Sequence, residues 1–217
     1  MLDPIATIQT TSAGVTRAEF LDAQGHACGF FQSEDEEYEV LLPFIREGLA
    51  LGERAVHIVE PGKRDEHLRR LVDAGIDVED PIASGQLVVV TWHETYWKDG
   101  PFDQDRTMAQ FAAARKEGRD LGFARTRFIC RMGWALEEGS IRELAVYEAT
   151  ADFVPLDGDV AICVYQVPQW GGQLLIAALR THRFVILGGL LHENPFHQSA
   201  AVLASLTGNA GARAACC

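Results

Sequence analysis

The sequence predicts one α/β domain in three layers, with a mostly parallel sheet covered by helices on both faces. Short, solidly apolar runs alternate along the chain with longer amphipathic stretches, which is the pattern of strands and helices in such folds. The β-branched run at residues 86–92 is uninterrupted, as expected of a parallel strand buried on both faces. With 217 residues and 47% hydrophobic content, the chain can bury one sizeable core.

Each element follows from its local pattern. Strands are predicted at residues 26–31, 54–60, 86–92, 126–132, 160–166 and 184–187, and helices at 33–52, 63–74, 105–121, from 140, and at 172–181. Ser33 with Glu36, and Ser140 with Glu143, have the spacing of capping boxes that open helices. Pro43 lies inside the first helical pattern and should kink it. We expect a flexible lead-in at 1–22, the α/β domain at 23–206 and a disordered tail at 207–217.

Composition excludes several classes of function. The chain has 19 basic and 31 acidic residues, a net charge of −12, which opposes binding to nucleic acid or to an anionic membrane surface. No apolar run reaches the roughly 20 residues that span a bilayer, and residues 1–20 lack a signal-peptide pattern. Five cysteines are an odd number at low density, which favours a reducing, cytoplasmic setting. The terminal pair Cys216–Cys217 suggests lipidation or only tail composition, and we assign it no role.

The junction between the first strand and the first helix lacks the chemistry of a nucleotide site. A phosphate loop presents glycine N–H groups at a helix N-terminus, usually with a lysine. Here the junction reads Gln32-Ser33 followed by the four acids of residues 34–37. Each like-charge contact at ~4 Å costs about 1 to 4 kcal/mol depending on screening. ATP is therefore not an expected cofactor, and the identity of any other cofactor stays open.

His26 and Cys28 lie two residues apart on the first strand, so their side chains share one face. They could be metal ligands, or a cysteine activated by an imidazolium; the ordinary alternative is a core cysteine and a strand-end histidine. Cys130 and Cys163 are each mid-strand, where a free cysteine is commonly a small buried hydrophobe. The candidate metal ligands are His26, Cys28, Cys130 and Cys163.

Aromatic residues cluster near the carboxyl ends of the predicted strands. Open parallel sheets bind ligands in the crevice at those ends, and aromatic walls with few charges suit a small, largely apolar ligand; ordinary packing is the competing interpretation. Glu148 and Glu60 are possible acids, although a cap or a surface pair is the commoner role for such residues.

Several segments together resemble the MEDS domain, the methanogen/methylotroph sensory domain also found in the dichloromethane-responsive regulator. The matching segments are residues 26–31 (HACGFF), 42–49 (LPFIREGL), 131–136 (RMGWAL), 147–148 (YE), 162–165 (ICVY) and 193–196 (ENPF). The resemblance covers about residues 25–197. It implies a fold similar to KaiC/RecA-type ATPases without the phosphate loop (Walker A), and a sensory role centred on His26 and Cys28. In the implied sheet order, the strands of Cys130 and Cys163 flank the first strand.

The chain departs from the family pattern at two places. The family motif usually ends in Phe-Tyr, whereas this chain has Phe30-Phe31 and so lacks that phenol hydroxyl. The fourth strand commonly reads glycine-acid-methionine, whereas here it reads Cys130-Arg131-Met132. Both changes bear on the identity of the ligand.

We therefore expect a cytoplasmic, non-catalytic sensory domain for a small apolar or weakly polar molecule of the hydrocarbon-derivative type. The predicted ligand-binding residues are His26, Cys28, Phe30, Phe31, Trp92, Trp134, Tyr147, Cys163 and Tyr165. Family members are often fused to an output module, but only about 20 residues follow His197. We expect output through a separate regulator or kinase, with homo-oligomers also open.

Two alternatives remain at this point. One is a thiol- or metal-dependent activity centred on His26 and Cys28. The other is a degenerate nucleotide-binding scaffold that acts through protein–protein contact.

Overall fold

Strands and helices alternate along the chain in the computed structural model, which describes residues 9–10, 25–137, 141–202 and 204. The strands are β1 (Gln9–Thr10), β2 (His26–Phe31), β3 (Arg54–Val59), β4 (Leu87–Thr91), β5 (Thr126–Arg131), β6 (Val160–Gln166), β7 (Phe184–Leu187) and β8 (Leu190–Glu193). The helices are α1 (Glu34–Ala50), α2 (Arg64–Asp73), α3 (Glu79–Ala83), α4 (Gln104–Asp120), α5 (Trp134–Glu137), α6 (Ile141–Ala151) and α7 (Gly172–Thr181). Single 3₁₀ turns follow β4 and β6, at Trp92–Glu94 and Val167–Gln169.

All strands join one sheet in the order β1-β8-β7-β2-β6-β5-β3-β4. Every neighbouring pair is parallel except β7 with β8. The predicted α/β class with a mostly parallel sheet is confirmed. β2 lies in the interior of the sheet, between β7 and β6, so its side chains face a helix layer on each side.

Two apolar clusters, one on each face of the sheet, complete the three layers. On one face α1 and α2 contribute Leu41, Phe44, Ile45 and Leu71 to the core. We call the opposite face the site face. There the helices α4, α6 and α7 contribute Phe111, Leu144, Tyr147 and Leu174. Side chains of β2 alternate between these clusters: Ala27 and Phe31 pack under α1, whereas Cys28 and Phe30 pack on the site face.

Element boundaries agree closely with the sequence prediction. β2, β6, β7 and α7 have the predicted bounds, and β3, β4 and β5 end within one residue of theirs. α1 continues unbroken through Pro43. The short elements α3, α5 and β8 were not predicted, because each is too short to show a period. Of residues 1–22 the structure describes only the two that form β1; the rest of that predicted lead-in, Ser140 of the second capping box, and the predicted tail at 207–217 lie outside the described residues.

The cap of α1 follows the predicted pattern. The Ser33 hydroxyl accepts a hydrogen bond from the Glu36 amide at 3.2 Å. The Glu36 carboxylate accepts in return from the backbone amide of Gln32 at 2.6 Å, whereas the usual capping box uses the amide of the N-cap residue, here Ser33. This reciprocal arrangement fixes the turn between β2 and α1.

The hairpin from β7 to β8 brings Asn194 back to the chain between α7 and β7. Gly188 and Gly189 connect the strands with φ values of 56° and 76°, which is the left-handed conformation that two-residue hairpin turns require. Beyond β8, the Asn194 amide nitrogen donates to the carbonyl of His182 at 2.7 Å and also to the carbonyl of Leu179. The Asn194 side chain therefore joins the end of α7 and the start of β7 into one unit.

Replacing Asn194 by alanine should destabilise this unit. The change leaves the buried carbonyls of Leu179 and His182 without their donor, and an unsatisfied buried group costs about 1–3 kcal/mol. We expect Asn194→Ala to lower the free energy of unfolding in urea by that amount or more. Gln198→Ala is the control, because its side chain makes only an exposed bond from Arg180; equal losses in both variants would contradict the assignment.

Candidate functional site

The three described cysteine side chains of the sheet form a row. Cys28 is in register with Cys163 of β6, and Cys163 is in register with Cys130 of β5. All three are buried on the site face and none is in a disulfide. The thiols thus lie close together, but the sheet order implied by the resemblance, with the strands of Cys130 and Cys163 on either side of β2, is wrong, because β7 rather than β5 is the second neighbour of β2.

His26, at the amino end of β2, belongs to a compact buried group with Glu148, Cys163 and His182, which we call the Glu148 cluster. One ligand-type atom from each side chain lies within 4.8 Å of all the others. The Glu148 Oε2 atom is 3.4 Å from His26 Nε2, 3.3 Å from His182 Nε2 and 3.6 Å from Cys163 Sγ. The Cys163 Sγ atom is 3.5 Å from His26 Nε2. Three side chains from separate parts of the fold thus converge on one carboxylate oxygen of Glu148.

Electrostatics in this cluster are dominated by burial and by paired charges. Burial by itself would raise the pKa of Glu148 and is the largest single effect, but the imidazoles of His182 and His26 outweigh it and hold the pKa below its ordinary value. Burial lowers the pKa of His26, yet the carboxylates of Asp152 and Glu148 outweigh that effect and raise the pKa to about 9. The cluster therefore holds Glu148 as a carboxylate that requires a cation beside it.

Further contacts fix the orientation of the cluster. Tyr165 donates its hydroxyl to Glu148 Oε1 at 2.6 Å. His182 Nδ1 lies 2.7 Å from the carbonyl oxygen of Ala178, one turn back in α7. His26 Nδ1 faces the Asp152 carboxylate at 3.6 Å, and Asp152 in turn contacts His197 at 2.6 Å. Both imidazoles thus direct Nε2 toward the shared oxygen of Glu148.

A cavity of about 70 Å³ lies beside this cluster, between the sheet and the helices α4 and α6. Its lining is mainly apolar and includes Tyr96, Met108, Phe111, Ala112, Arg115, Phe128, Ala151, Val154, Leu156 and Ala161 together with His26, Cys130, Tyr147 and Cys163. The exposed Ala112 marks its mouth. Arg115, also in the lining, donates to Asp159 at 2.9 Å and so is held in place.

The predicted aromatic residues form a wall behind the cavity. Trp134 stacks on Tyr96 with ring centroids 4.8 Å apart, and Tyr147 meets Trp134 edge to face at 6.4 Å. Phe30 packs against Tyr165 at 5.6 Å. Trp92 joins the same cluster, where it passes so close to Gly133 that a Cβ there would lie 2.9 Å from the indole.

The structure separates the predicted set into three groups. His26, Cys163 and Tyr147 line the cavity, as does the metal candidate Cys130. The residues Cys28, Phe30, Trp92, Trp134 and Tyr165 support it from the same face of the sheet. Phe31 points to the opposite face and packs under α1, because successive side chains of a strand alternate.

The cavity lies against the site face of the sheet, where its lining extends from His26 at the amino end of β2 to Cys130 near the carboxyl end of β5 and Tyr96 beyond β4. His26 is the first residue of β2 and pairs with Ala161 near the start of β6. At the carboxyl ends, the buried Glu37 of α1 accepts from Arg131 at 3.0 Å and from Gln166 at 2.6 Å. The acidic junction is therefore satisfied by the chain's own side chains.

The buried thiols have little thiolate character. Burial, followed by the nearby Glu148 charge, raises the pKa of Cys28 well above its usual value, and Cys28 Sγ donates to the Phe184 carbonyl at 3.8 Å. Burial also raises the pKa of Cys130 to about 12. Because the thiolate is the nucleophile, these values oppose the predicted alternative of a reactive Cys28.

Sequence reasoning missed His182 and Asp152 and gave Glu148 a minor role. His182 follows α7 and Asp152 follows α6, so each is a helix-end residue with no motif of its own. Only the sheet order, which puts β7 beside β2, brings His182 to His26. The segment at 193–196 was a usable signal, since its Asn194 holds the backbone of His182.

The raised thiol pKa values predict slow alkylation. In the folded protein at pH 8 we expect iodoacetamide to modify Cys28, Cys130 and Cys163 roughly 100-fold more slowly than in denaturant, since each pKa unit removes about nine tenths of the thiolate. Peptide mass mapping separates these sites from Cys216 and Cys217. Rapid modification of Cys28 in the folded chain would restore the reactive-thiol alternative.

Comparison with known proteins agrees with this architecture. Among the described residues, no helix combines the length and apolar character needed to cross a bilayer. No curated protein matches the chain. The family model of the methanogen/methylotroph, DcmR sensory domain matches residues 25–183, a range that includes β2 to β6, α7 and His182. The chain therefore belongs to the MEDS family of sensory domains.

Proposed function

We propose that this chain is a cytoplasmic sensor that binds a small, largely apolar molecule of the hydrocarbon-derivative type in the cavity beside the Glu148 cluster. The observation that carries the proposal is the cavity itself, which combines an apolar lining with two polar side chains of the cluster, His26 and Cys163. Ligand pockets commonly have this composition: hydrophobic walls and a few placed polar groups.

The cavity size restricts the class of ligand. One water requires about 10–15 Å³ on the same measure, so about 70 Å³ accommodates a molecule of a few heavy atoms. Side chains such as Met108, Phe111 and Phe128 offer no hydrogen bonds to water. An apolar ligand therefore gains from leaving water without displacing well-bonded solvent.

Contacts around the cavity offer a route for a signal. A ligand against His26 and Cys163 would touch the cluster whose central carboxylate belongs to α6 and whose second imidazole adjoins α7. A shift in these contacts would favour one arrangement of the two helices over another, and a ligand moves such an equilibrium only by its differential affinity. The helices α6 and α7 are thus the elements that would report occupancy.

We expect the sensor to pass its signal to a separate regulator or kinase rather than to bind nucleic acid itself. The net charge of −12 opposes direct contact with nucleic acid. The three described cysteines are free thiols, which suits a reducing compartment.

Filling the cavity mouth should abolish ligand binding. Ala112→Leu places three added heavy atoms at the mouth, whereas Ala113→Leu makes the same change at the next residue of α4, which is equally exposed but is not part of the cavity lining. The probes are short-chain hydrocarbons, halogenated hydrocarbons and alcohols, read by thermal unfolding. A ligand at 100 times its Kd adds about 2.7 kcal/mol, which raises the Tm of a chain of this size by roughly 5–10 °C.

We expect at least one probe to give a saturable shift in the wild type and in Ala113→Leu, but not in Ala112→Leu. No shift with any probe would overturn the ligand class. An equal shift in both variants would overturn the cavity as the site.

A further inference from the structure

The Glu148 cluster brings together two imidazole nitrogens, a carboxylate oxygen and a thiol sulfur, and one of the nitrogens has no hydrogen-bond partner among the described residues. His182 Nδ1 lies 2.7 Å from the Ala178 carbonyl oxygen, which can only accept, so this nitrogen carries the proton. In a neutral imidazole the other nitrogen then presents a lone pair. His182 Nε2 faces the Glu148 carboxylate oxygen at 3.3 Å and, among the described residues, has no hydrogen-bond partner.

Distances within the cluster are too long for strong direct hydrogen bonds between its nitrogen and oxygen atoms. Charge-assisted N–H···O bonds are about 2.7–2.9 Å long, whereas Glu148 Oε2 lies 3.3 Å and 3.4 Å from the two imidazole nitrogens. The other oxygen of the same carboxylate does make a short bond, at 2.6 Å to Tyr165. The nitrogen–oxygen distances are therefore longer than direct charge-assisted bonds, while the Cys163 thiol donates to Glu148 Oε2 at 3.6 Å.

Four of the six distances among these atoms match the edges of a tetrahedral metal site, and the two that join His182 to His26 and to Cys163 are within 4.8 Å. With zinc bonds of about 2.0–2.2 Å to nitrogen or oxygen and about 2.3 Å to sulfur, tetrahedral edges are about 3.4 Å between nitrogen and oxygen and about 3.6 Å to sulfur. The measured nitrogen–oxygen distances are 3.3 Å and 3.4 Å. The sulfur of Cys163 lies 3.5 Å from His26 Nε2 and 3.6 Å from Glu148 Oε2.

The groups around the cluster make the contacts that commonly orient metal ligands. Metal-binding histidines commonly direct their distal nitrogen to a carbonyl or carboxylate, and ligating carboxylates are themselves hydrogen-bonded. Here the Ala178 carbonyl serves His182, the Asp152 carboxylate faces His26 at 3.6 Å, and the Tyr165 hydroxyl serves Glu148. A thiolate, a carboxylate and two neutral imidazoles would neutralise a divalent cation in this buried place.

We propose that His26, Glu148, Cys163 and His182 form a binding site for a borderline divalent transition metal, best matched by Zn²⁺. The donor set of two nitrogens, one sulfur and one oxygen suits zinc and not magnesium or calcium, which prefer oxygen ligands. Of the metal ligands predicted from sequence, this site retains His26 and Cys163. Cys28 and Cys130 lie outside it.

The test uses the untagged full-length chain with Cys216→Ser and Cys217→Ser, so that the terminal thiols do not compete for metal. After incubation with Zn²⁺ and dialysis, elemental analysis should give one zinc per chain. With Co²⁺ instead, we expect the intense visible absorption of a tetrahedral site together with thiolate-to-cobalt charge transfer. Both readouts are independent of any sensed ligand, so their failure leaves the proposed function standing.

Matched thiol variants decide which cysteine binds. Cys163→Ser should abolish the charge-transfer absorption and weaken zinc binding, whereas Cys28→Ser, an equally buried neighbour in the same row, should retain both. Asp152→Asn should weaken zinc binding by about 10–100-fold through His26. Circular dichroism of each metal-free variant checks that it folds.

Sub-stoichiometric zinc in the folded parent chain would overturn the site. So would cobalt spectra without a thiolate band, or identical spectra for the Cys163→Ser variant and the parent. Any of these three results would leave the cluster as a buried hydrogen-bonded and ionic network without a metal.

Discussion

The buried Glu148 carboxylate is the interaction on which the site face depends. It is 1% exposed, and a charge at that depth is tolerated only with partners close by. Those partners come from β2, from β6 and from His182 just before β7, and these three strands are distant in sequence but adjacent in the sheet. The strand order and the charge thus support each other: the sheet brings the partners together, and the carboxylate penalises any arrangement that separates them.

The fold was largely predictable because its local signals agree. Apolar runs fixed the strands, and the Ser33–Glu36 cap located the start of α1. Strand order was not predictable to the same degree, since a parallel sheet places neighbours by long crossover connections rather than by adjacent sequence. The error over which strands flank β2 arose at that step. The hairpin strand β8 was missed although Gly188 and Gly189 signal its turn.

The candidate site was predictable only in part, for a related reason. His26 and Cys28 share a strand face by period alone, and Cys163 was identified as a strand cysteine. The partners at helix ends, His182 and Asp152, acquire their importance only when α6, α7 and β2 meet. At the carboxyl ends of β5 and β6, Glu37 pairs with Arg131 and accepts from Gln166, while the cavity lies on the site face beneath α4 and α6.

The high pKa of the buried thiols bears on whether a reactive ligand would modify the protein irreversibly. A binding site lined by thiolates would be alkylated by any ligand that carries a good leaving group, and each detection would consume one protein molecule. Protonated Cys28 and Cys130 are poor nucleophiles, and a metal-bound sulfur at Cys163 would be shielded in another way. Occupancy would then be reversible, so that one molecule could follow falling as well as rising concentrations without being resynthesised.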